Sequence, residues 1–175
     1  MPALTLPAAV DVRLAAAGEA PVLANLLELY AHDFSALADL QLHPDGRYGY
    51  PELPLYWREA TRFPFLVRVD GHLAGFALVA RGSRVSGDPE VWDMAEFFVV
   101  RRYRRHGVGA AAAHELWRRF PGRWELRVME SNLPALAFWS AAVAAFTGAP
   151  AEAVFTQVAE KRWQVFAFVS PERSA

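Results

Sequence analysis

The chain has 175 residues, 54% of them apolar and none of them cysteine, with a formal net charge of −1. That length supports one domain with a substantial core. The missing cysteines exclude disulfides, thiolate metal sites and a cysteine nucleophile, and near-neutrality gives no global basic field for nucleic acid. The start, MPALTLPAAVDVR, lacks the basic and apolar regions of a secretory signal, and no apolar run is long enough for a bilayer. A cytoplasmic protein with no membrane or nucleic-acid partner is expected.

The alternation in residues 10–15 predicts a first strand. Residues 21–34 follow as a helix, with Val22, Leu26, Leu29 and Tyr30 at helical spacing. The run QLHPDGRYGYPELP is rich in Gly, Pro and Asp and reads as loop. Two apolar runs in residues 64–81 meet at Asp70-Gly71, a dipeptide suited to a primed hairpin turn. A strand over residues 94–100 leads into RRYRRHGVGAAAAHELW, which predicts a helix over 107–120 stopped by Pro121-Gly122. Residues 124–129 form the next strand. A helix with Pro134 in its first turn then carries Leu136, Trp139, Val143 and Phe146 on one face. Two closing strands, 154–158 and 163–169, pair as a hairpin across AEKR. With no repeat and no linker, residues 1–175 are expected to form a single mixed α/β domain.

The run from Arg101 to Trp117 concentrates charge where a helix begins. A helix start leaves backbone N–H groups without partners and carries a partial positive charge. Gly107 and Gly109 lack the Cβ atoms that would hold a ligand off the backbone, and Arg104 and Arg105 add bidentate phosphate donors. A diphosphate cradle is the reading. No G-x-x-x-x-G-K-[ST] motif is present. Residues 107–112 match G-x-G-x-x-A with Glu125 about 20 residues on, as a dinucleotide fingerprint asks. Context opposes that match. RRYRRH separates strand from glycine, Glu125 opens its strand instead of closing it, and roughly half the chain comes first.

Arg104-x-x-Gly107-x-Gly109 after a strand resembles the acyl-CoA signature [QR]-x-x-G-x-[GA] of the GNAT family of N-acetyltransferases, with Tyr103 beside it. Asn132, Ala135, Phe138 and Trp139 are similar to the family's N-x-x-A-x-x-F-[YW] segment on the next helix. The resemblance covers about residues 92–146. It implies a GNAT fold, a mostly antiparallel sheet flanked by helices, with strands 95–100 and 124–129 splayed apart to admit pantetheine. It implies acetyl-CoA as cosubstrate. The backbone at Phe98, Val99 and Val100 would pair with pantetheine amides and polarise the thioester carbonyl. Arg104, Arg105, His106, Gly107, Val108, Gly109 and Ala110 would hold the diphosphate, with Asn132 on the pantetheine arm. Phe138 is placed beside the cofactor on the same grounds, although it and Trp139 also fit an ordinary core stripe.

The implied reaction is acetyl transfer to an amine of a small molecule or peptide. Without cysteine, direct attack in a ternary complex is the natural scheme. Glu96 is the candidate base, a carboxylate within the apolar strand MAEFFVV whose burial raises its pKa toward a useful range. The family often uses a tyrosine as general acid where this chain has Trp139. Tyr30, Tyr48 and Tyr50 are candidate substitutes. For the acceptor, Asp33, Asp45 and Glu52 offer charge, Tyr48, Tyr50, Tyr56 and Trp57 offer aromatic faces, and Arg47 or Arg127 offers a carboxylate partner. The five histidines, His32, His43, His72, His106 and His114, show no metal-ligand spacing, so no metal is expected. Two further readings stand beside the enzyme: an acyl-CoA-binding module without turnover, suggested by Trp139, and a dinucleotide-binding domain. Family habit also allows a homodimer through the terminal strands.

Overall fold

The structure, a computed structural model, describes residues 9–158 and 160–172. Residues 1–8 of the start that lacks a signal pattern, Ala159 of the AEKR run and residues 173–175 lie outside the described residues.

Seven strands form one sheet in the order β1-β2-β3-β4-β5-β7-β6. They are β1 (Val10–Leu14), β2 (Arg62–Val69), β3 (His72–Arg81), β4 (Trp92–Val99), β5 (Gly122–Met129), β6 (Ala153–Val158) and β7 (Lys161–Ser170). Helices α1 (Ala20–Phe34), α2 (Val108–Arg119) and α3 (Leu133–Thr147) complete the fold, with short 3₁₀ turns at Ala17–Glu19, Leu53–Trp57 and Arg101–Tyr103 that the sequence did not announce.

Local chemistry explains the turning points. Asp70 and Gly71 both adopt positive φ, 49° and 79°, the pair that a type I′ hairpin turn requires. Asn132 caps α3 by accepting the Ala135 N–H at 3.2 Å, and Gly148 closes that helix at φ 71°.

Alternate residues along the strands serve two cores. Phe65, Val67, Ala77, Val79, Trp124 and Leu126 pack with Leu116 and Trp117 of α2 and Trp139 and Val143 of α3. Leu66, Phe76, Leu78 and Phe98 pack on the opposite face against Leu23, Leu26 and Leu27 of α1. Each fully buried side chain of this kind contributes about 1.5–3 kcal/mol.

Two departures from regularity create the site. The first is in β4, where Met94 faces Val79 and Glu96 faces Leu78, leaving Ala95 as one extra residue. Such a bulge re-aims the downstream side chains: Met94 joins the α2–α3 core, while Glu96 reaches Tyr30 of α1. The second is between β4 and β5, which run parallel and pair only at Trp92 with Trp124 and Asp93 with Glu125. Beyond Asp93 the two strands share no further ladder pairs. The expected splay is therefore present, beginning just after Asp93.

Candidate active site

A cavity of about 330 Å³ occupies the splay. Met94, Ala95, Glu96 and Phe97 line one side and Leu126, Arg127, Val128 and Met129 the other, with α1 and the 40–50 loop over the mouth.

Glu96 is the polar centre of this cavity. One carboxylate oxygen accepts the Tyr30 hydroxyl at 2.7 Å, and the other accepts the Tyr50 hydroxyl at 3.1 Å. Only 17% of the Glu96 side chain is exposed, and Arg84 Nη1 stands 3.7 Å from it. Burial pushes its pKa above the ordinary glutamate range, while Arg84 and the two hydroxyl bonds pull back without cancelling the rise. Burial, reinforced by the neighbouring carboxylate, also makes Tyr30 and Tyr50 hold their protons above the usual tyrosine range. They therefore serve as donors to Glu96 and are not primed as acids.

Arg84 is a residue the sequence reading missed. It follows β3 and is fixed by Nε to Asp93 at 2.7 Å and by Nη2 to the Ala95 carbonyl at 2.6 Å. The latter bond anchors the bulged residue. Nothing in the SGDPE context signals an inward arginine, but Asp93 was findable: it is a carboxylate in an apolar strand, the pattern that singled out Glu96.

The loop after β4 has a different construction. Gly107 is the N-cap of α2 at φ 76°, with open space where a Cβ would stand. The first helical bond runs from the Ala111 N–H to the Gly107 carbonyl at 2.9 Å, so the amides of Val108, Gly109 and Ala110 precede the ladder. Arg105 also takes a positive φ, 63°. His106 Nδ1 lies 2.7 Å from the Arg104 carbonyl, which it serves as donor. Arg104 itself is turned inward: Nε donates to the Val99 carbonyl and Nη2 to Asp33, both at 2.7 Å, with its guanidinium 5.4 Å from the Phe98 ring centre. Arg101 grips the other oxygen of Asp33 at 2.6 Å. Among the described residues, Arg102 and Arg105 have no ion pair. The free charge of the loop is theirs.

Gly109 proves to be a packing glycine. A Cβ there would stand 3.0 Å and 3.1 Å from Phe138 ring atoms. Phe138 in turn stacks on Phe97, with ring centres 6.0 Å apart. Asn132 and Glu96 both line the cavity, whereas Phe98, Val99, Val100 and residues 104–110 form the strand end and loop beyond its lining.

On the acceptor side, Tyr48 and Tyr50 line the cavity, and Glu28 pins their loop by accepting the Tyr48 and Gly49 N–H groups at 2.8 and 2.9 Å. Tyr56 is buried in the α1-side core and Trp57 donates to the Ala15 carbonyl, so both are structural. Asp33 is committed to the two arginines, while Asp45 and Glu52 are exposed outside the cavity. Trp139 is buried and lines the cavity floor.

Residues 23–142 match the family model described as the acetyltransferase (GNAT) family. The chain belongs to that family of acyltransferases, which draw their acyl group from acetyl-CoA. Solved structures agree at the level of fold. An acetyltransferase from Thermus thermophilus is 16% identical with a TM-score of 0.66, over 91% of this chain and 96% of its own. An aminoglycoside acetyltransferase in complex with coenzyme A is 14% identical with a TM-score of 0.68, over 92% and 95%. Spermidine N-acetyltransferase from Vibrio cholerae, in complex with CoA and spermine, is 11% identical with a TM-score of 0.62, also over 92% and 95%. No curated protein sequence matches the chain. Among the described residues no helix is long and apolar enough to cross a membrane.

Proposed function

We propose that the chain is an N-acetyltransferase that moves an acetyl group from acetyl-CoA to an amine by direct attack, with Glu96 as the base. The observation that carries this reading is Glu96 itself: a buried carboxylate of raised pKa, held by two tyrosines inside the β4–β5 opening. The open amides at residues 108–110 and the unpaired strand edges suit the donor's diphosphate and pantetheine arm, respectively.

An amine reaches the site as ammonium. One proton passes to Glu96, directly or through water, and the freed nitrogen attacks the thioester carbonyl. The N–C bond forms as the C–S bond breaks, and the nitrogen's second proton leaves with the thiolate or to water. A thiol is acidic enough to depart as the anion, so a tryptophan at position 139 does not block the step. With no cysteine in the chain, an acyl-cysteine relay has no nucleophile.

The test is a thermal shift paired with thiol release. Acetyl-CoA should raise the melting temperature where NAD does not, and some amine in a broad panel should trigger thiol release. A shift without release from any amine would leave a donor-binding module; no shift at all would end both readings.

A further inference from the structure

Two arginines line the cavity, and of the two only Arg84 is held in an ion pair among the described residues. Arg84 has Asp93, the Ala95 carbonyl and Glu96 around it. Arg127, half-buried on β5, has no hydrogen bond and no ion pair among the described residues. Its guanidinium stacks over Trp163 of β7, with the guanidinium carbon 4.6 Å from the ring centre. That stack holds the planar head in place and leaves its N–H edge unengaged. Burial and the like charge of Arg84 press the Arg127 pKa below the ordinary arginine value, and the attraction of Asp93 and Glu96 does not cancel the drop. A half-buried cation in that position has no carboxylate in direct contact among the described residues.

The placement across the cavity is complementary. Arg127 lies on the β5 wall and Glu96 on the β4 wall of one opening. We infer that the acceptor is a compact amine carrying a carboxylate, of the amino-acid class, and that Arg127 seats this carboxylate while the ammonium faces Glu96. The inference rests on the acetyl-transfer reading above. The guanidinium fork matches a carboxylate in bidentate geometry. A cavity of about 330 Å³ suits a small acceptor. The same pair of arginines disfavours a polyamine, whose additional cations would meet no carboxylate among the β5 residues that line the cavity.

Matched triplets test it: an amino acid, its carboxamide and the decarboxylated amine, with spermidine as an added acceptor, assayed for thiol release from acetyl-CoA. The amino acid should exceed its carboxamide by about 100-fold in kcat/KM, the value of a charge-assisted contact. Arg127→Gln should shrink that preference to a few-fold by raising KM for the amino acid, and Arg127→Lys should restore part of it. Binding provides a readout independent of turnover, because the amino acid should add to the melting temperature of the CoA-loaded wild-type chain and its carboxamide should not. Equal use of carboxamide or spermidine, or a preference that survives Arg127→Gln, overturns the inference while acetyl transfer stands. If acetyl-CoA binds but no amine reacts, the transfer reading fails, and the amino-acid melting shift alone decides whether Arg127 is a carboxylate seat.

Discussion

Around Gly107 the polar groups without intrahelical partners are main-chain amides from one short run, at residues 108–110, beside the exposed Arg102 and Arg105. Around Glu96 they are side chains drawn from α1, the 40–50 loop, the segment after β3, and β4 itself, including bonds between residues 66 and 46 positions apart. The first region is exposed and depends on backbone conformation; the second is buried and depends on desolvation and mutual hydrogen bonding. The difference assigns separate labours. Main-chain amides suit a handle that is always the same, whereas a side-chain cluster can be tuned to a particular acceptor.

Substitutions can break that contrast at either end. Gly107→Glu should have the largest effect. It forces a side chain into a φ of 76°, at about 1–2 kcal/mol for an L-residue, and it sets a carboxylate at the helix start. The acetyl-CoA melting shift should vanish, and retention of the full shift would remove the cradle from its proposed place.

Glu96→Gln should lower kcat by about 100-fold or more while the acetyl-CoA shift survives. Its pH behaviour is also fixed in sign. A carboxyl group with a raised native pKa favours folding below its unfolded value, near about 4.3, and that advantage is lost as pH rises through the native value. The wild type should therefore lose stability relative to Glu96→Gln as pH climbs through that window, as melting curves across pH would register.

Tyr30→Phe sharpens the picture further. Removing a hydroxyl that stabilises the ionised carboxylate lifts the Glu96 pKa again, so the rising limb of kcat/KM should move to higher pH. Near pH 7 the rate should fall about 10-fold, the worth of one hydrogen bond to a charged group. A limb that stays put would detach Tyr30 from the base.

Gly109→Ala should have the smallest effect, about 1 kcal/mol of lost stability, because the Phe138 ring must give by a few tenths of an ångström. Trimming that ring in the double variant Gly109→Ala with Phe138→Leu should cancel the strain, measurable as non-additive melting temperatures. Donor binding should change little in either.

The same contrast explains what could be read from the amino-acid order. The helices, the Asp70-Gly71 hairpin and the Gly107 turn depend on neighbours in the chain, so local patterns displayed them. Glu96 stood out because a carboxylate interrupts an apolar strand. Tyr30 and Tyr50 read as candidate acids or acceptor contacts but not as its hydrogen-bond donors, and Arg84 did not stand out, since it sits in a loop whose composition says only that it turns. The extra residue at Ala95 also left no mark, because a bulge is a relation between two strands. Gly109 carries a demand its place in a phosphate signature did not announce: the Phe138 ring approaches where its Cβ would stand. Arg104 likewise looked like a ligand donor and is engaged with Val99 and Asp33.

The wedge between β4 and β5 is made by ladder bonds that are not formed beyond Asp93, and an omission of that kind is owned by no individual side chain. Side chains that line the wedge can therefore change without adding the ladder bonds that would close it. Solved structures at 11–16% identity still share the overall fold. A lineage founded on such a gap can trade one acceptor for another by point changes at the rim, and need not reinvent its grip on the reagent.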